Sequence, residues 1–129
     1  MPFLDALYDL GGPTSRLCGA VKLHDDPSVP LSCAKAALSS GAPFRLALQE
    51  QGVDSILWVG IARGANGATW LVTFDSDIHG GGASNPHAEP RLTRTLCLDV
   101  QLGSMTQPNI SCRLAGSGPE RLPLRPTKR

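Results

Sequence analysis

The sequence predicts an α+β domain: one or two short helices packed on a five-stranded antiparallel β-meander, with disulfides holding the two together. Three observations point there. Helical patterning is confined to residues 1–41, apolar residues recur at every second position after Pro43, and four cysteines form an even set with no close-spaced pair.

Taking the elements in order, Phe3, Leu4, Leu7 and Leu10 sit at helical spacing, and Gly11-Gly12-Pro13 stops the helix they form. Residues 14–31 mix turn formers with scattered apolar groups. Asp26-Pro27 and Val29-Pro30 favour extended backbone, so this stretch reads as a loop packed across the domain. Ser32 is an N-cap before Cys33–Leu38, a run of strong helix formers, and Gly41 ends that helix before Pro43. Phe44, Leu46 and Leu48 then alternate with polar or small residues in a half-buried strand. Residues 55–63 are nearly all apolar, as in a strand covered on both sides. Asn66-Gly67 marks a tight hairpin, from which residues 68–74 return with Trp70, Val72 and Phe74 on one side. After a polar loop over 75–90, a long strand carries Leu92, Leu96, Leu98, Val100 and Leu102 on one face, interrupted by Arg94. The fifth strand places Ile110, Cys112 and Leu114 together. This order of elements is similar to cystatin-like and small secreted inhibitor architectures, a likeness of order and polarity that no motif accompanies.

A chain of 129 residues allows one core, and 41% hydrophobic with 18% charged residues is ordinary globular content. Residues 1–118 read as the domain and 119–129 as a basic, proline-rich tail, extended or disordered. The formal net charge is +1, and the tail holds the positive excess, so the body has no field suited to a nucleic-acid backbone. No apolar run is long enough to span a membrane.

Cys18, Cys33, Cys97 and Cys112 offer no CxxC, and no Cys–His spacing of the structural-zinc kind. Two disulfides in an oxidising compartment is the preferred reading, with four buried reduced thiols the alternative. The expectation is therefore a secreted or periplasmic mature chain from which a signal has been removed. Strand phase places Cys112 on an apolar face and Cys97 on a polar one, so pairing them requires a bulge. The expected pairs are Cys33 with Cys112 and Cys18 with Cys97.

Chemistry-bearing residues gather in Asp75-Ser-Asp-Ile-His79-Gly-Gly-Gly82. Asp75, Asp77 and Gly80 match positions one, three and six of an EF-hand loop, yet Pro86 stands where a bidentate glutamate is required. His79-Gly80-Gly81-Gly82 resembles the oxyanion element of lipases, but no GxSxG elbow accompanies it. Asp75, Asp77, His79 and His87 make the candidate metal set, without HxH or HExxH spacing. His24-Asp25-Asp26 is a second small cluster, for which a polar turn is the simpler explanation. The glycines at 60, 64 and 67 do not form a dinucleotide fingerprint, and no cofactor is expected.

Trp58 and Trp70 read as core aromatics that become partner anchors if they lie on an exposed face, and Gly80 and Gly81 allow a close-approach loop. The preferred function is a non-enzymatic exported domain that recognises another protein through a sheet face or the 75–90 loop, of inhibitor, immunity or envelope-accessory type. A small metal-dependent hydrolase using the Asp75–His79 loop is the first alternative. A small-ligand carrier using the concave side of the sheet is the second.

Overall fold

The computed structural model describes residues 1–51, 55–76, 89–116 and 118–124. Nine elements follow one another among them: α1 (Pro2–Gly11), β1 (Arg16–Val21), α2 (Ser28–Ser40), β2 (Phe44–Gln51), β3 (Ile56–Arg63), β4 (Thr69–Asp75), β5 (Arg91–Leu102), β6 (Ile110–Leu114) and β7 (Glu120–Leu122). The α+β class and the disulfides hold. The described residues carry seven strands instead of five, in the order β1-β2-β3-β4-β5-β6, with β7 also on β5. The sheet is antiparallel except at β1, which pairs parallel to β2 across the α2 crossover.

Residues 14–31 are thus not one loop: Arg16–Val21 form β1 and Ser28 opens α2, with a turn over 22–27 between them. Val29-Pro30 suggested extended backbone, yet the structure starts α2 at Ser28 and places Pro30 in the first turn. The N–H groups there have no intrahelical acceptor, so proline removes nothing the helix uses. The expected start after Ser32 is five residues late. Gly41 does end α2, in the left-handed conformation at φ 75°, where the missing Cβ removes the penalty. Pro2 opens α1, and the Gly12 N–H closes it on the Tyr8 carbonyl at 2.8 Å.

The two helices lie on opposite faces of the sheet. Phe44, Leu46 and Leu48 of β2 share one core with Ile61 and with Leu31, Ala34 and Ala37 of α2. Ala47, Trp58, Ala62 and Val72 share the other with Phe3 and Leu7 of α1. This explains why β3 is apolar throughout: it is an inner strand with helix or ribbon over each side. A register row of small residues, Ala47, Gly60 and Val72, lets α1 approach the sheet closely. A Cβ added at Gly60 would lie 2.8 Å from both Phe3 Cζ and Leu7 Cδ1. Arg45 ties down the end of α1. Its guanidinium donates from Nε to Ser15 Oγ at 2.9 Å and lies 5.1 Å from the Tyr8 ring centroid.

The long strand β5 does not keep one apolar face. Cys97 pairs with Leu114 and Asp99 with Arg113, so Leu98 is an extra residue without a partner. A one-residue bulge reverses the phase. Leu92 packs on the α1 side, whereas Cys97, Val100 and Leu102 join the α2 side with Ile110 and Cys112. Beyond the bulge, β5 and β6 continue as a two-stranded ribbon, and β6 comes against β3. A second bulge interrupts β1, where Leu17 pairs with Arg45 and Gly19 with Leu46, leaving Cys18 as the extra residue.

The expected cysteine pairing is overturned. Cys18 bridges to Cys33 and Cys97 to Cys112, with Cα separations of 5.4 and 5.5 Å. The bulge that the second pair requires is present, which places both of its cysteines on the same side. Part of the segment read as a tail also belongs to the sheet. Glu120–Leu122 pair with β5, Glu120 accepts from Arg94 Nε at 2.8 Å, and Leu122 packs against the α1-side core.

Two outcomes follow from this packing. Gly60→Val should lower stability by about 1–3 kcal/mol in urea unfolding, because added methyls overfill the seat of Phe3 and Leu7. A midpoint unchanged from wild type would contradict the α1 docking. Non-reducing peptide mapping should recover Cys18–Cys33 and Cys97–Cys112. Each closes about 15 residues, and removing either by a double Cys→Ala exchange should cost about 3 kcal/mol in the loop-entropy model.

Candidate functional site

The residues singled out from the sequence end in different places. Asp75 is the last residue of β4, in register with Leu57 and Arg91. Asp77, His79, Gly80, Gly81 and His87 lie outside the described residues, so the metal set and the glycine loop have no geometry to report. Among the described residues no three His, Cys, Asp or Glu side chains gather as a metal-binding group. No described helix is long and apolar enough to cross a membrane.

The two tryptophans share the α1 side of the sheet. Trp58 is buried in the core, its ring centroid 5.8 Å from that of Phe3. Trp70 is half-buried, with the Arg94 guanidinium 4.6 Å from its ring centroid, and Glu120 fixes that arginine from β7. The aromatic surface is therefore engaged by the protein's own arginine.

With α1 over one face and α2 with the β5–β6 ribbon over the other, the sheet presents its margin instead of a face. Strand β1 is the terminal strand in the described order, hydrogen-bonded to β2 alone. Three large apolar side chains are exposed along this part of the chain: Leu17 in β1 at 50%, Leu23 just after it at 38%, and Val29 in the first turn of α2 at 76%. Sequence reasoning missed this site because it read residues 14–31 as a loop. The available signal was Leu17, Cys18, Ala20 and Val21, a short apolar-rich run before the Asp25-Asp26-Pro27 turn.

The edge is rigidly held. The Cys18–Cys33 bridge fastens β1 to α2, and Pro30 sits so close over Gly19 that an added Cβ would come within 2.8 Å of its Cγ. At the C-terminal end of β1, the Leu23 N–H donates to Gln49 Oε1 at 3.0 Å and the Lys22 N–H to Asp25 Oδ2 at 3.1 Å. His24 turns the chain at φ 70°, and Asp26 Oδ1 accepts the Ser28 N–H at 2.9 Å, where α2 begins. The His24-Asp25-Asp26 cluster is thus a turn in which the carboxylates satisfy local backbone donors. Flanking Arg16 and Lys22, together with the bulge, protect the edge from indiscriminate self-pairing.

No family model, no curated protein and no solved structure matches the chain.

Hydrogen bonds from the Ser28 backbone and then from its side chain hold the Asp26 carboxyl below the ordinary aspartate value. Folding therefore favours its ionised form. Its contribution is present above the titration range of an unfolded aspartate and is lost as pH falls through the lowered folded value. NMR titration of the Asp26 carboxyl carbon should give a midpoint below that of an aspartate in an unstructured peptide. Asp26→Asn should remove this part of the acid dependence, and an unshifted midpoint would refute the assignment.

Proposed function

We propose that the chain is a non-enzymatic, exported domain that binds another protein, and that β1 is the strand on which the partner docks. The open β1 edge beside exposed Leu17, Leu23 and Val29 carries this reading. A terminal strand offers backbone donors and acceptors to an extended segment of a partner, while neighbouring apolar side chains supply pockets and anchors. The Cys18–Cys33 bridge pre-organises the edge, so little ordering entropy opposes association. Two disulfides are consistent with an oxidising extracellular or periplasmic setting, where such a domain keeps its shape without reductant acting on it.

A photoreactive benzophenone residue at position 17 tests the surface, with position 101, exposed on β5, as the control site. In an extracellular extract of the source organism, the position-17 protein should form a discrete protein adduct that the position-101 protein does not. Val29→Lys should reduce the adduct at least several-fold while leaving the circular dichroism spectrum unchanged. Identical adduct patterns at both positions, or none at position 17, would remove the β1 edge as the docking surface.

A further inference from the structure

A second, chemically different site lies where β5 leaves the main sheet. The β4–β5 pairing ends at Trp70 and Leu96, and the β3–β4 hairpin turn and the bulged segment of β5 diverge there. Between them is an open crevice of about 460 Å³, lined by Arg63, Asn66, Gly67, Ala68, Thr69, Leu96, Cys97 and Leu98. That volume falls in the range of small-molecule sites.

Arg63 is the single ionisable side chain of this lining. It is the last residue of β3, in register with Phe44 and Thr69, and only half-exposed. Its Nε is buried and donates to nothing, and no carboxylate pairs with it among the described residues. An unmet buried donor on a charged group is costly, and native proteins keep few of them. Arg45 on the adjacent strand β2 and Arg94 on β5 each have an acceptor, and among the described residues Arg63 Nε is the buried side-chain donor that lacks one. Asn66 is oriented by accepting the Ala68 N–H at 3.0 Å through Oδ1, which leaves its amide hydrogens as further donors. Leu96, Leu98 and the bridged Cys97 provide the apolar part of the lining, and Leu98 is 52% exposed at its mouth.

We infer that this crevice binds a carboxylate carried on a short apolar chain, the carboxylate taken by the Arg63 guanidinium and the apolar part by Leu96 and Leu98. A planar guanidinium matches a carboxylate with two parallel hydrogen bonds, and a single positive charge balances a single negative one. A phosphate dianion would call for additional basic groups, and the lining has none. The inference goes beyond the β1 docking surface and stands without it, since none of the lining residues belongs to β1 or α2. The same chemistry is presented by a free aliphatic acid and by the C-terminal end of a chain finishing in an apolar residue.

Titrations followed by amide NMR shifts of Gly67, Thr69 and Leu98 distinguish these sources and test the site. The probes are heptanoate, with heptanol as its neutral counterpart, and the tripeptide Gly-Gly-Leu as free acid, with its C-terminal amide as counterpart. At least one acid should shift these three amides saturably at millimolar or lower concentration, its neutral counterpart binding at least tenfold more weakly. The tighter acid identifies the source. Arg63→Gln should weaken binding at least tenfold and Arg63→Lys by a smaller factor, with thermal midpoints no lower than wild type, since Arg63→Gln removes an unmet donor. Leu98→Glu, which supplies a carboxylate at the crevice mouth, should also abolish the response to the acids, and it keeps the test valid if position 63 tolerates no change. No saturable shift with either acid, equal binding of the neutral probes, or undiminished binding by both Arg63→Gln and Leu98→Glu would overturn the inference.

Discussion

A sheet whose inner strands are apolar on both sides needs cover on both sides, and the rest of this molecule is arranged to provide it. Strands β2 and β3 carry the requirement: Leu46 and Ile61 point one way, Ala47 and Ala62 the other, and all four are fully buried. Helix α1, ten residues long, closes one side where Ala47, Gly60 and Val72 leave room for it. Helix α2 closes the other over β1 and β2. What α2 does not reach is met by the β5–β6 ribbon, whose Ile110 and Cys97 are buried in the same cluster as Leu31 and Ile61. Hydrophobic burial at about 25 cal/mol per Å² makes an uncovered inner strand expensive, so the short helices and the bent ribbon are complementary answers to one demand.

The bend is possible because strand regularity is broken at two places, one at Cys18 and the other at Leu98 beside Cys97. An extra residue increases local twist and re-aims the side chains that follow. At Leu98 this carries the second half of β5 from one layer's logic to the other's, bringing Cys97 and Cys112 together. At Cys18 it directs the thiol toward α2, whereas strict alternation after Leu17 and Arg45 would give a uniform parallel ladder. The same departure of β5 from β4 opens the crevice beside Arg63. Cross-linking and surface relief therefore share a geometric origin.

Strands β2 to β6 were legible from local signatures such as alternation in β2, a continuous apolar run in β3, and Asn66-Gly67 between β3 and β4. Helix α1 was legible from Phe3 and Leu7, and the end of α2 from Gly41. Strand β7 was hidden in the proline-rich segment read as a tail, and three further features were not legible either. Strand β1 pairs in parallel with a segment more than twenty residues away, and nothing within six residues announces a distant partner. The start of α2 was obscured by Pro30, since the preference of the preceding residue for extended backbone is outweighed when the first helical turn packs on Gly19. The bulge at Leu98 lies in an otherwise regular run of leucines, and an insertion that changes no residue type leaves no mark on composition. With the bulge hidden, so were the bridge partners and the Arg63 crevice.

Both sulfur bridges join residues only fifteen positions apart, one within a strand–helix unit and the other within a hairpin. Short loops close at small entropic cost, so each pair meets through local chain motion, without assembly of the whole sheet. Oxidation of the reduced chain thus has two neighbourly encounters to complete, and neither depends on the other. Scrambled isomers would have to span more than sixty residues between Cys33 and Cys97. The spacing itself steers the maturing polypeptide toward its correct covalent form.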